Sequence, residues 1–184
     1  MNISILLPYK ENFTVDNAGA VSLFVSDINN KSSFRKTTTI FGNTDGKKIL
    51  SNKYKNINLN KSIFYSTSRK YVEAFLNYQK KLKTDLVEVH NRPNYIKLIK
   101  NNFKKKLILY FHNDPLTMNG SRTISERIYL LNNIDKIIFN SIWSKKRFFI
   151  NLPTNSLYDA KTFVCYQSSS KVKINFSNKE KTIS

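Results

Sequence analysis

The chain has only two histidines, His90 and His112, and each closes a short apolar run. One run is Asp85-Leu-Val-Glu-Val-His90-Asn-Arg-Pro93, the other Leu107-Ile-Leu-Tyr-Phe-His112-Asn-Asp-Pro115. Imidazole changes charge near neutrality and both donates and accepts hydrogen bonds, which suits recognition of a hydroxyl or phosphate, or movement of a proton. In an open α/β sheet, ligands bind outside the carboxyl ends of the strands. Two His-Asn-x-Pro strand ends 22 residues apart, with a helix-like segment between them, are therefore expected to line one cleft. The plain alternative is a pair of histidines bonded to backbone.

The loops after these strands carry Asn91, Arg92, Asn113 and Asp114, whose amide or charged side chains can reach a polar ligand. Arg92 offers a forked donor for phosphate or carboxylate, against which stands a salt bridge that closes its own loop. Asp114 is a candidate base, but Asp before Pro shapes turns. Gly19 sits where a helix begins and could present backbone N–H groups to an anion or another hydrogen-bond acceptor, or could serve only a tight turn. Ser141 and Asn140 face the same cleft on this reading, with Ser141 also a helix cap. Trp143 could stack on a ring of a bound ligand, although an aromatic in the first turn of an amphipathic helix is ordinarily core. No metal centre is expected, because only His112 and Asp114 lie near each other and zinc needs three or four ligands.

The elements that hold these residues are read from periodicity and punctuation. Ile3–Leu7 is a first strand stopped by Pro8. Asp16 or Asn17 caps a helix with Val21, Phe24, Val25 and Ile28 at helical spacing. Lys36–Phe41 is a second strand ending at Gly42, and Asn43–Lys61 is polar and read as loop. Ile63–Tyr65 is a short strand; Thr67 or Ser68 then caps a helix with Tyr71, Phe75, Tyr78 and Leu82 on one face. Leu86–Val89 is the first His-bearing strand, Pro93–Phe103 a helix with Ile96, Ile99 and Phe103 inward, and Leu107–Phe111 the second His-bearing strand. Thr123-Ile-Ser-Glu126 has the capping-box pattern and opens a helix expected to bury Ile124, Ile128 and Leu131. Lys136–Phe139 is a strand, Ser141 caps a helix through Phe149, and Thr162–Tyr166 is a last strand. The alternation predicts an α/β fold: a Rossmann-like, doubly wound parallel sheet covered on both faces.

A length of 184 residues fits one domain with a tail. The lone Cys165 rules out an internal disulfide, Met1–Glu11 lacks the pattern of a signal peptide, and no apolar run approaches the ~18 residues of a membrane span. The expectation is a cytoplasmic protein, with peripheral contact at the inner face of the plasma membrane as an open option. A net charge of +19 suggests a polyanionic partner. Only six of the basic residues are Arg, however, and no nucleic-acid-binding module is visible, so nucleic acid is disfavoured. Lys97, Lys100, Lys104–Lys106, Lys145, Lys146 and Arg147 are either a surface for anionic lipid or ordinary solvated helix faces.

Asn17-Ala-Gly19-Ala, Asp85-Leu-Val-Glu-Val-His90, Leu107-Ile-Leu-Tyr-Phe-His112 and Ile137-Ile-Phe-Asn-Ser141-Ile-Trp143 come in an order that resembles the N-terminal lobe of family-4-like glycosyltransferases, enzymes of the two-lobed GT-B architecture. The resemblance spans roughly residues 3 to 166, with Ala18 where that family has one of a glycine pair. It implies a domain over residues 1–166, on the acceptor side of the enzyme. Residues 167–184 are then either a polar tail or the start of the link to a missing C-terminal donor lobe.

The function so implied is the N-terminal part of a retaining glycosyltransferase, moving a sugar from a nucleotide-sugar co-substrate to a glycan or lipid-linked acceptor hydroxyl in cell-envelope polysaccharide or lipopolysaccharide synthesis. No resident cofactor is implied, and the fragment alone is expected to be inactive. The acceptor-side candidates are Gly19, His90, Asn91, Arg92, His112, Asn113, Asp114 and Ser141; no catalytic residue is assigned. The alternative is a stand-alone basic module for nucleic acid or anionic membrane, whose binding would fall steeply with salt. A dinucleotide enzyme is disfavoured because no G-x-G-x-x-G follows the first strand.

Overall fold

The computed structural model describes residues 1–59 and 66–167. The expected Ile63–Tyr65 strand and the tail from Ser168 onward lie outside the described residues. Among the described residues, seven parallel strands form one sheet in the order β3-β2-β1-β4-β5-β6-β7: β1 (Ile3–Leu6), β2 (Thr38–Gly42), β3 (Tyr54–Asn56), β4 (Leu86–His90), β5 (Lys106–Phe111), β6 (Lys136–Phe139) and β7 (Thr162–Val164). The helices are α1 (Ala20–Lys31), α2 (Thr67–Gln79), α3 (Ile96–Asn102), α4 (Ile124–Asn133), α5 (Ile142–Phe149) and α6 (Ser156–Lys161). From β1 the chain steps to β2 on one side, while β4 flanks β1 on the other. The strand order therefore reverses between β1 and β4, and β4 ends in His90. The expected Rossmann-like α/β class holds.

Strands buried on both faces of a parallel sheet read as continuous apolar runs, and their alternate side chains feed two cores. Leu6, Phe41, Val87, Val89, Leu109, Phe111, Ile137 and Phe139 point to the side covered by α2 to α5. There Phe111, Phe139 and Phe148 pack ring to ring, with centroids 5.3 to 5.7 Å apart. Ile5, Leu7, Ile40 and Tyr110 point to the other side, against Val21, Phe24 and Val25 of α1. The chemistry-bearing side chains of β4 and β5 lie on this α1 side.

Several boundaries and faces differ from the sequence reading, each for a local reason. Helix α1 starts at Gly19 rather than at Asp16 or Asn17, and Glu11, eleven residues upstream of Ser22, accepts from the Ser22 N–H. Ser66, not Thr67 or Ser68, caps α2 through the Arg69 N–H. Within the stretch read as loop, Tyr54–Asn56 forms edge strand β3, held by Tyr54 stacked on Phe13 at 5.1 Å and by its hydroxyl donating to Thr44 Oγ1. Pro93–Tyr95 is a 3₁₀ turn that precedes α3, whose Ile96 and Ile99 are buried together with Phe103 as expected. The capping box of Thr123 and Glu126 is present, yet α4 buries Arg127, Leu130 and Leu131 while Ile124 is exposed. Arg127 turns inward because its guanidinium donates to the carbonyls of Arg122 and Ile150, which joins α4 to the end of α5. Helix α6 buries none of its residues, so it left no apolar periodicity to read.

Candidate functional site

His90 ends β4 and pairs in register with Tyr110 of β5, so alternation brings Glu88, His90, Tyr110 and His112 to the α1 side of the sheet. Nδ1 of His90 lies 2.8 Å from Nε2 of His112. The Tyr110 ring stacks on both imidazoles, at 5.4 Å from His90 and 4.5 Å from His112, and Phe24 of α1 meets all three edge-on. The two histidines thus share one edge of one sheet, in direct contact. They do not line an open hollow: His90 is 1% exposed and His112 8%. Hollows of about 390 and 490 Å³ lie instead on the opposite side, beside α2 and α3 and beside α3 and α4 respectively.

Two further groups complete the cluster. Gln167 Nε2 is 2.8 Å from His112 Nδ1, covering the ring from the segment after β7. Glu88 Oε1 approaches His90 Nε2 to 2.8 Å without hydrogen-bond geometry, and among the described residues that nitrogen has no hydrogen-bond partner. Burial, followed by the neighbouring His90, lowers the His112 pKa to about 2. The ring is a neutral donor-acceptor at ordinary pH. Burial likewise pushes the Tyr110 phenol far up, and its hydroxyl donates to the Cys165 carbonyl at 2.7 Å.

The remaining candidates divide. Asn91 is buried at φ +55 and its Oδ1 accepts from the His112 N–H, so it turns the chain and clamps β5. Arg92 donates to the Asn91 carbonyl rather than to a carboxylate, and its charge acts on Tyr71 and Tyr95 of the α2 and α3 side, away from the imidazoles. Asn113 is exposed beside the pair, and its carbonyl accepts from Ser144 Oγ. Asp114 caps the turn at Leu116 and forms a two-pronged ion pair with Arg147. Desolvation raises the Asp114 pKa, but the Arg147 hydrogen bonds and charge outweigh it and hold the carboxyl below its usual range. Ser141 caps α5 by accepting from the Ser144 N–H, and Asn140 Nδ2 donates to the His112 carbonyl. At Gly19 an added Cβ would run into the Glu11 carboxylate, which already occupies the N-terminus of α1. Trp143 is not core as expected: it is 59% exposed, with the Arg147 guanidinium over its ring.

Sequence reasoning missed Glu88 and Gln167. Glu88 had a signal, since it is the one acidic residue inside the Leu86–His90 run and shares its face with His90 by strand alternation. Gln167 had none. Among the described residues no three His, Cys, Asp or Glu side chains gather as a metal site, and no helix is long and apolar enough to cross a membrane.

No family model and no curated protein matches the sequence. Solved structures do match the fold. HepE of Anabaena, in complex with UDP-glucose, superposes with a TM-score of 0.63 at 14% identity over 91% of this chain and 44% of its own. Sucrose-phosphate synthase of Thermosynechococcus elongatus gives 0.66 at 12% identity over 90% and 48%. MurG of Acinetobacter baumannii gives 0.52 at 9% over 91% and 46%. The chain spans about half the length of these structures, and its fold is that of one lobe of a two-lobed GT-B glycosyltransferase.

Proposed function

We propose that this chain is the acceptor-side lobe of a glycosyltransferase that uses a nucleotide-sugar. One observation carries the reading: the imidazole pair stands at the carboxyl edge where the strand order reverses, the place where α/β sheets hold ligands. The likeness to a structure with UDP-glucose bound supports a nucleotide-sugar as donor. His112, neutral and flanked by the exposed Asn113, is the group that meets a sugar hydroxyl. Asp114 is a structural partner of Arg147 rather than a base. Gly19 serves the start of α1, whose N-terminus Glu11 fills, so the phosphates of the donor are assigned to the second lobe.

The proposal extends to a retaining transfer onto a glycan or lipid-linked acceptor in cell-envelope polysaccharide or lipopolysaccharide synthesis, in the cytoplasm and peripheral to the inner face of the plasma membrane, without a resident cofactor. The stand-alone basic module is the weaker reading. Lys145 is paired with Asp159 and Arg147 with Asp114, and Lys104–Lys106 lie at the amino edge of β5, away from α5. These described cations therefore form no single stripe.

The test is to express the reading frame with its flanking DNA. The longer product is expected to consume a sugar nucleotide in the presence of acceptor, and the 184-residue chain alone to consume none. Replacing His112 by Ala in the longer product is expected to lower kcat/KM by about 10²-fold, the scale of one lost polar contact to the transition state. Turnover of UDP-glucose by the short chain contradicts the proposal, and so does an unaffected His112→Ala.

A further inference from the structure

The polarity of the buried imidazole pair follows from Glu88. A neutral imidazole has one N–H and one bare nitrogen, and which is which depends on its neighbours. Glu88 Oε1 lies 2.8 Å from His90 Nε2, a nitrogen buried with no hydrogen-bond partner. A bare nitrogen there would set its partial negative charge 2.8 Å from a carboxylate oxygen, whereas a proton on it turns repulsion into attraction even off the hydrogen-bond axis. His90 is then bare at Nδ1, which must accept from Nε2–H of His112 across 2.8 Å. His112 is in turn bare at Nδ1, where the Gln167 amide nitrogen, a donor only, sits 2.8 Å away. With a neutral His90, the opposite polarity requires both repulsion at Glu88 and an overturned amide at Gln167.

We propose that Glu88 and His90 are positioning residues for His112: through them the ring is held with its proton on Nε2 and a bare Nδ1 acceptor at the carboxyl edge, which Gln167 covers in this structure. Burial keeps the His112 ring uncharged. Among the described residues, the groups packed on the pair are Glu88 on β4, the Tyr110 ring on β5 and the Phe24 ring of α1, while the Cys165 carbonyl accepts from the Tyr110 hydroxyl. An uncharged acceptor takes a hydrogen-bond donor in place of the Gln167 amide. A hydroxyl fits and a phosphate does not. In naming a sugar hydroxyl as the ligand this rests on the transferase reading; the polarity of the relay does not.

The experiment is long-range proton–nitrogen correlation NMR on the full chain with ¹⁵N-labelled histidine, where two histidines give two ring patterns and protonated and bare nitrogens resonate far apart. Both rings are expected as Nε2–H at neutral pH. Gln167→Ala is expected to leave His112 in that form, with Nδ1 shifted by loss of its donor. Adding Glu88→Leu to Gln167→Ala is expected to give a mixture of tautomers at His112, which a merely space-filling Glu88 would not produce. Inorganic phosphate is expected to leave both patterns unmoved.

His112 protonated on Nδ1 in the unaltered chain overturns the proposal, a result that needs no substitution to fold. Equal tautomer populations with and without Glu88, or proton uptake by His112 on adding phosphate, overturn it too. Because the tautomers are read without sugar or donor, failure here leaves the transferase reading standing, and absent sugar transfer leaves the relay standing.

Discussion

At the scale of single residues, the His112 ring couples proton binding to folding. Its native pKa, lowered to about 2 chiefly by burial, lies below the ordinary 6.5 that it regains on unfolding. The unfolded chain therefore binds more protons throughout that interval, and stability rises with pH there. The cost is absent above 6.5 and grows as pH falls towards 2. Asp114 and Glu126, held low by Arg147 and by the Thr123 N–H respectively, contribute stability that is lost only as pH falls into and below the ordinary carboxylate range. From pH 6.5 down to about pH 5 the chain is expected to lose up to about 1.4 kcal/mol per pH unit through His112, read from urea midpoints, and His112→Gln to flatten that slope. Parallel slopes in the two proteins would remove the premise of a buried neutral ring. The histidines and their shared edge were legible, because strand alternation and His-Asn-x-Pro endings are local. Their contact was not, since it depends on the β4–β5 register, and neither was Gln167, brought in from 55 residues away.

At the scale of elements, what could be read was what local physics dictates. The apolar runs of β1, β4, β5 and β6 and the capping box of α4 were evident because each carries its own signal over a few residues. β3 and α6 carried none: β3 is a three-residue edge strand held by a stacking partner forty-one positions earlier, and α6 buries no residue. Gly120 shows the same limit. It joins the loop after β5 to the start of α3, at φ +94, and an added Cβ would lie 2.5 Å from the Asn94 backbone nitrogen and 2.8 Å from the Pro93 carbonyl carbon. Neither neighbour is a flexible side chain, so the two loops would have to part. Gly120→Ala is expected to lower unfolding free energy by about 2–3 kcal/mol from strain at that φ and the displaced loop. Gly46→Ala, whose Cβ would meet the Thr14 side chain, is the milder comparison, and equal urea midpoints for the two would refute the distinction.

At the scale of the whole molecule, the sheet is covered unevenly. Among the described residues four helices pack on one side, while α1 covers the other over β1, β2 and β5 and meets β4 at His90. Towards β7 the apolar side chains thin out into solvent: Ile142, Trp143, Phe163 and Tyr166 are each about half exposed or more, and they follow the carboxyl edge and the last strand. Scattered exposed apolar groups are ordinary, whereas several along one rim mark a surface that another body covers. On the two-lobe reading that body is the donor lobe, since the superposed structures are about twice as long as this chain. Trp143 is the only tryptophan and stands on that rim, so it reports the event directly. In the 184-residue chain its fluorescence is expected at the wavelength of a hydrated indole and open to acrylamide quenching. In the longer product the emission is expected to shift to the blue, with quenching reduced several-fold. If the spectrum and the quenching are the same in both, the rim faces solvent in the longer product too, and the lobe lies elsewhere.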